Sequence, residues 1–338
     1  ATNKVVPTAT GFTVNNNGGN AFGQSGDTLV YMAIRAPMMV EPEAATDVFA
    51  VAARTGASGS TPSWVSGFVT DMTIQIEAAY ANKTVGTRQL GGNVIYTDAP
   101  AASGGGGGKY IWDYMTGLSD QAGAASANKE LMWKRAKGYF DVVTYNGLGT
   151  AKTVPHSLGV VPEMMWVKSR SNSENWMVYT DTTGANDYLS LQNNSGKGTY
   201  NTWNGTAPTD SVFSLSNIDE VNGYNKTYVA YLFATLAGIS KVGGYTGNGS
   251  SQTISCGFSA GSRFILIKRT DASGDWYFWD SVRGIVAGNE SRLSLNTTAA
   301  QVTYNDSVDP TNSGFIVNQE SDTNINVSSG TYIFYAIA

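Results

Sequence analysis

The sequence predicts an all-β protein of tandem antiparallel β-sandwich units, jelly-roll or lectin-like, each of about 100 residues. Three observations carry this reading: an internal repeat, short apolar runs separated by turn formers, and an unusually low charge.

The repeat comes first. Tyr145-Asn146-Gly147-Leu148-Gly149-Thr150 returns as Tyr245-Thr246-Gly247-Asn248-Gly249-Ser250, an offset of 100 residues. Thr153 and Thr253, Lys168 and Lys268, and Trp176 and Trp276 keep that offset. It drifts to 102 at Phe213/Phe315 and to 104 where Thr227-Tyr228-Val229 answers Thr331-Tyr332-Ile333, as loop insertions allow. Pro7, Gly11, Phe12 and Thr28 match Pro310, Gly314, Phe315 and Thr331 at 303. Met132 and Arg135 follow Met32 and Arg35 by 100. The expected organisation is therefore 1–35 as the C-terminal part of a truncated repeat and 36–139 as a divergent β repeat. Residues 140–238 and 239–338 are then two β-sandwich repeats. With 1–35 read as half a unit and Ala1 in first place, the sequence is expected to be a piece of a longer polypeptide.

Within a unit the texture is β. Phe264-Ile265-Leu266-Ile267, Trp276-Tyr277-Phe278-Trp279, Arg292-Leu293-Ser294-Leu295 and Gly314-Phe315-Ile316-Val317 are short apolar runs with Gly, Asn and Asp between them. Thr331 to Ile337 is apolar on both faces, which predicts a central strand covered on both sides. Thr28 to Ile34 reads as the same closing strand of the first unit. The one helix candidate is Ser126 to Met132, with Ser126 able to cap a short turn.

Charged residues make up 14% of the chain, against about a quarter in ordinary domains. The net charge is −5 without a basic cluster, which argues against nucleic acid as a partner. No apolar run approaches a membrane span, so no membrane insertion is expected. One cysteine and one histidine leave no disulfide framework and no His- or Cys-based metal site, and no cofactor is expected.

Several motifs invite chemistry. Gly257-Phe258-Ser259-Ala260-Gly261 has the G-x-S-x-G form, but the only histidine, His156, precedes it, and Ser259 aligns with Gly159. His156 aligns with Cys256, and both are expected to close turns. The run Gly104 to Gly108 lacks the Lys-Ser/Thr ending of a phosphate loop. Carboxylates such as Asp271, Asp275, Asp280, Asp306 and Asp309 are scattered through loops and not paired as in a glycosidase. No catalytic residue and no metal ligand is expected. For glycan binding, Trp203 in a turn-rich stretch is the first candidate for an exposed aromatic. Tyr110, Trp112 and Tyr114 alternate and would share one strand face, either as a sugar-stacking row or as a core stripe.

Phe140 to Tyr145, Pro162 to Arg170, Asn175-Trp176, Thr227 to Tyr231, and Ile267 to Thr270 with Trp276 together resemble an uncharacterised β-rich repeat domain of marine tailed-phage virion proteins. The resemblance is good over 140–338, fair over 1–35 and poor between them. It implies a non-enzymatic virion protein, a tail fibre or other surface appendage, acting in host attachment at the virion surface. Partners would be other virion proteins, further copies of the chain in a homo-oligomer, or a host surface glycan. A bacterial adhesin or carbohydrate-binding array is the alternative reading, and a glycan depolymerase the second.

Overall fold

The computed structural model describes residues 5–8, 11–14, 32, 39–59, 61–77, 79, 81–104, 109–121 and 128–338. The chain forms two compact units, 1–39 and 40–338. In the first, Val5–Thr8 and Gly11–Val14 make an antiparallel hairpin. The closing strand expected over 28–34 lies, apart from Met32, outside the described residues.

Residues 40–338 are antiparallel β throughout, in sandwich-like layers. The sheet of 140–238 runs in the order Phe140–Asn146, Thr227–Phe233, Met164–Ser169, Met177–Thr180. That of 239–338 begins Ser240–Thr246, Thr331–Ile337, Phe264–Arg269, Tyr277–Asp280 and continues through Glu290–Ser294 and Val302–Asn305. The 40–139 segment has the same opening order in Phe49–Ala53, Lys129–Trp133, Met72–Ile76 and Thr84–Thr87, followed by Val94–Tyr96. Each segment closes its sandwich with a smaller second sheet, built on Trp64–Val65, Lys152–Pro155 or Gln252–Ser255.

The helix expected at Ser126 to Met132 is corrected by this pairing, although Ser126 itself lies outside the described residues. Residues 129–133 are a strand between Phe49–Ala53 and Met72–Ile76. Two hydrogen-bonded neighbours and two buried faces outweigh the weak local helix preference.

The closing strands are buried on both faces because each main sheet is shared by two cores. One apolar cluster runs through all three segments, from Phe49 and Trp133 to Phe140, Trp166 and Phe233 and on to Phe264, Phe278 and Tyr335. Ring contacts stitch it together, Phe49 to Phe264 at 5.6 Å and Phe233 to Tyr335 at 5.0 Å. Three further clusters fill the individual sandwiches.

The segments meet in a cycle. Trp176 donates from Nε1 to the Tyr96 carbonyl at 2.8 Å, and Trp276 donates to the Ser190 carbonyl at 2.9 Å. These acceptors are corresponding positions, since Val85 pairs Ile95, Val178 pairs Leu189 and Phe278 pairs Leu293. Lys83 stands where the other segments have these tryptophans, and its ammonium donates to the Ala299 carbonyl at 3.0 Å. Beside it Ala81 N bonds the Thr298 carbonyl and Thr97 Oγ1 the Leu295 carbonyl. Head-to-tail contacts that close in this way form a ring, not an open filament.

The repeated Tyr-x-Gly-x-Gly motif is explained by packing. Tyr145 stacks on Tyr228 at 5.2 Å and Tyr245 on Tyr332 at 4.8 Å, with their hydroxyls donating to the Val221 and Ile325 carbonyls. A Cβ on Gly147 would lie 2.1 Å from the Gly223 oxygen, and one on Gly247 2.2 Å from the Val327 oxygen. Backbone cannot yield as a flexible side chain does. Gly247→Ala is therefore expected to lower stability by about 1–3 kcal/mol in a urea titration; a loss within about 0.3 kcal/mol would disprove the tight approach.

Candidate functional site

The four aromatics expected to meet a glycan do not form a surface. Trp203 is fully buried, its Nε1 donating to the Asp187 carbonyl at 3.0 Å and its ring edge-on to Tyr179. The turn it occupies faces inward, so Trp203 is a peg in the sandwich core. Tyr110 and Trp112 are buried too, packed edge to face at 5.6 Å, and Trp112 donates to the Gly91 carbonyl. The expected strand through 114 stops at Ile111, and half-buried Tyr114 lies beyond it. Of the two readings left open for this row, Tyr110 and Trp112 take the core one.

Tyr110 instead leads to a buried carboxylate. Glu130 is fully enclosed and accepts hydrogen bonds from Tyr110 Oη at 3.1 Å, Gln75 Nε2 at 2.9 Å and Thr73 Oγ1. Burial pushes its pKa up to about 7, against the lowering effect of these donors and of the nearby Lys109 ammonium. Lys109 donates to Thr84 Oγ1 at 2.8 Å, and burial lowers its own pKa. Gly86 keeps the space open for Tyr110, because a Cβ there would fall 2.7 Å from the ring. By strand register Glu130 corresponds to Ala230 and Phe334, and Gln75 to Val167 and Ile267. A raised carboxyl beside a phenol and an amine is the inventory of acid–base chemistry. Here, however, each named donor is already bonded within the core, and the carboxylate is closed to solvent.

The turn residues behave as structural parts. His156 Nε2 donates to the Thr209 carbonyl at 3.1 Å while Nδ1 accepts from Leu158 N. Burial lowers its pKa. Cys256 is buried, and burial pushes its thiol up to about 12, which keeps it protonated and unreactive at neutral pH. Ser259 sits on an exposed bend. Among the described residues no group of three or more His, Cys, Asp or Glu is arranged to hold a metal, and no helix is long and apolar enough to cross a membrane.

The surface of the 140–238 segment carries a shallow hollow of about 190 Å³, lined by Asn175, Met177, Tyr188, Tyr200, Ile218 and Glu220. Tyr200 is 56% exposed, so the exposed aromatic of the 200–205 turn lies three residues before the tryptophan that the sequence points to. Tyr188 lies against Gly198, where a Cβ would come within 2.7 Å of its ring. The hairpin beneath is pinned by the Lys197–Asp187 ion pair and by Thr199 Oγ1 to Asp187 at 2.7 Å. Lys268 Nζ on the Asn194 carbonyl and Lys197 N on the Thr270 carbonyl tie this stretch to the neighbouring segment. Tyr188, Tyr200 and Glu220 escape the sequence reading because nothing in their local pattern separates them from ordinary loop residues.

Comparison with known proteins adds a family without an assigned role. No curated protein matches the chain. Residues 109–338 match the family model described as a domain of unknown function, DUF7483, and over that span, most of its length, the chain belongs to this family.

Proposed function

We propose that this chain is a rigid, non-catalytic building block of an extracellular surface appendage. The closed cycle of three sandwiches around a common apolar cluster carries the reading. A scaffold must resist bending between its parts, and a shared core with hydrogen-bonded seams supplies that stiffness. We further infer that the three segments are copies of one module, since they share strand order and corresponding seam residues. Three buried carboxylates fit the same reading, because Asp120, Asp141 and Asp280 are engaged by Arg54, Arg135 and Arg283.

The virion setting, with other virion proteins or further copies of the chain as partners, draws on the resemblance over 140–338 and 1–35. Immunogold labelling of intact particles is expected to mark external appendages, while incubation with host polysaccharide releases no reducing ends. Release of reducing ends that Glu220→Gln abolishes would overturn the non-catalytic reading; label confined to the particle interior would overturn the appendage setting.

A further inference from the structure

We propose that the hollow between Tyr188 and Tyr200 is a binding subsite for one neutral or amino-bearing sugar ring. The inference goes beyond the scaffold reading and does not depend on it.

Three features distinguish this place from an incidental dent. The first is a comparison within the chain. By strand register Met177 corresponds to Tyr277, and Tyr188 to Arg292. In the 239–338 segment the Arg292 guanidinium lies over the Tyr277 ring at 4.9 Å, and Tyr277 donates onward to the Asp322 carbonyl. The corresponding space is thus filled. In the 140–238 segment the smaller, unbranched Met177 and the Tyr188 ring, drawn toward Gly198, leave it open.

The second feature is preorganisation. Tyr188 lies over a bare glycine, Gly198, on a hairpin fixed by Lys197, Thr199 and the Trp203 peg beneath. A rigid ring loses little entropy when a ligand stacks on it. Tyr200 lines the same hollow with more than half its surface in water, available to cover a second face.

The third is chemistry. Aromatic faces suit the C–H side of a sugar, and the rim supplies hydroxyl partners from the Asn175 amide and the Glu220 carboxylate. Asn175 is oriented by Gln192, whose Nε2 donates to its Oδ1 at 2.7 Å. Glu220 supplies the charge in the lining, and Lys226 nearby is already engaged by Glu174 and Asp219. The local field is therefore negative, which disfavours uronic and other acidic sugars and admits neutral hexosides or a hexosamine.

Saturation-transfer NMR on the full chain tests this, with the methyl glycosides of a neutral hexose, a hexosamine and a hexuronic acid as probes. Transfer to the neutral or amino glycoside is expected, with a Kd of roughly millimolar, as a single ring in a shallow site allows. Met177→Tyr, which installs the side chain that fills the corresponding space, is expected to weaken binding by about tenfold or more, and Tyr200→Ala to do the same. Both positions line the hollow, and unchanged melting temperatures confirm that the variants fold. Absence of transfer to every probe would overturn the subsite. So would transfer that both variants leave intact, or preference for the hexuronic acid.

Discussion

Trp276→Ala is expected to cost about 3–5 kcal/mol of unfolding free energy, the range for deleting a large buried aromatic. Trp276 is fully buried in the cluster common to the three segments, and its indole bonds the Ser190 carbonyl of the neighbouring segment. Its backbone N–H is held by Asn296 Oδ1 at 2.9 Å. Truncation leaves a cavity and a buried carbonyl without its donor. Because the seam belongs to the shared core, the loss is expected in one cooperative urea transition with an unchanged slope. Amide exchange should accelerate across the seam at 187–192 as well as near 276. Trp276→Phe keeps most of the packing and is expected to lose only about 1–2 kcal/mol. A Trp276→Ala loss below about 1 kcal/mol, or separate transitions for the segments already in the unaltered chain, would show that the ring is not a cooperative unit.

Glu130→Gln is expected to stabilise the chain at pH 8, by up to about 3 kcal/mol. Burial raises the Glu130 pKa to about 7, whereas in the unfolded chain a glutamate titrates near 4.3. A raised carboxyl pKa means that the native state holds its proton more tightly than the unfolded one. This group's contribution is therefore most favourable below the unfolded pKa. Stability falls as pH climbs from there through about 7 and levels off above it. Glutamine removes that slope. Its carbonyl oxygen can accept from Tyr110 and Gln75, while its amide can donate to Thr73 Oγ1, which already reaches the Leu131 carbonyl at 3.0 Å. Glu130→Ala, by contrast, leaves Tyr110 and Gln75 without their buried acceptor and should destabilise. Thermal melts of the unaltered chain and the two variants from pH 4 to 8 decide the matter. Parallel pH profiles for the unaltered chain and Glu130→Gln would sink the assignment.

The aromatic pegs show how far local pattern reaches. Trp203 and Tyr200 share one turn of similar composition, yet one is fully buried and the other 56% exposed. Which side of a turn meets the core depends on where the Met177–Thr180 and Asp187–Tyr188 strands place it, and no periodicity records that. Tyr110 and Trp112 are legible as large apolar residues, and the core reading needs only the main sheet to cover them.

Local sequence accounts for the β class and the spacing of about 100 residues. These follow from alternation and turn residues, which act over a few neighbours. Packing of the sheets settles that the three segments close into a ring, that Lys83 takes the place of Trp176 and Trp276 at one seam, and that Glu130 lies among apolar strands. It also settles that Met177 lines a hollow, whereas Tyr277 in the next segment lies beneath the Arg292 guanidinium. The seam contacts join residues roughly 80 to 220 positions apart in the chain, and all of these meetings are a consequence of layered sheets burying their apolar faces rather than of any property of the local sequence.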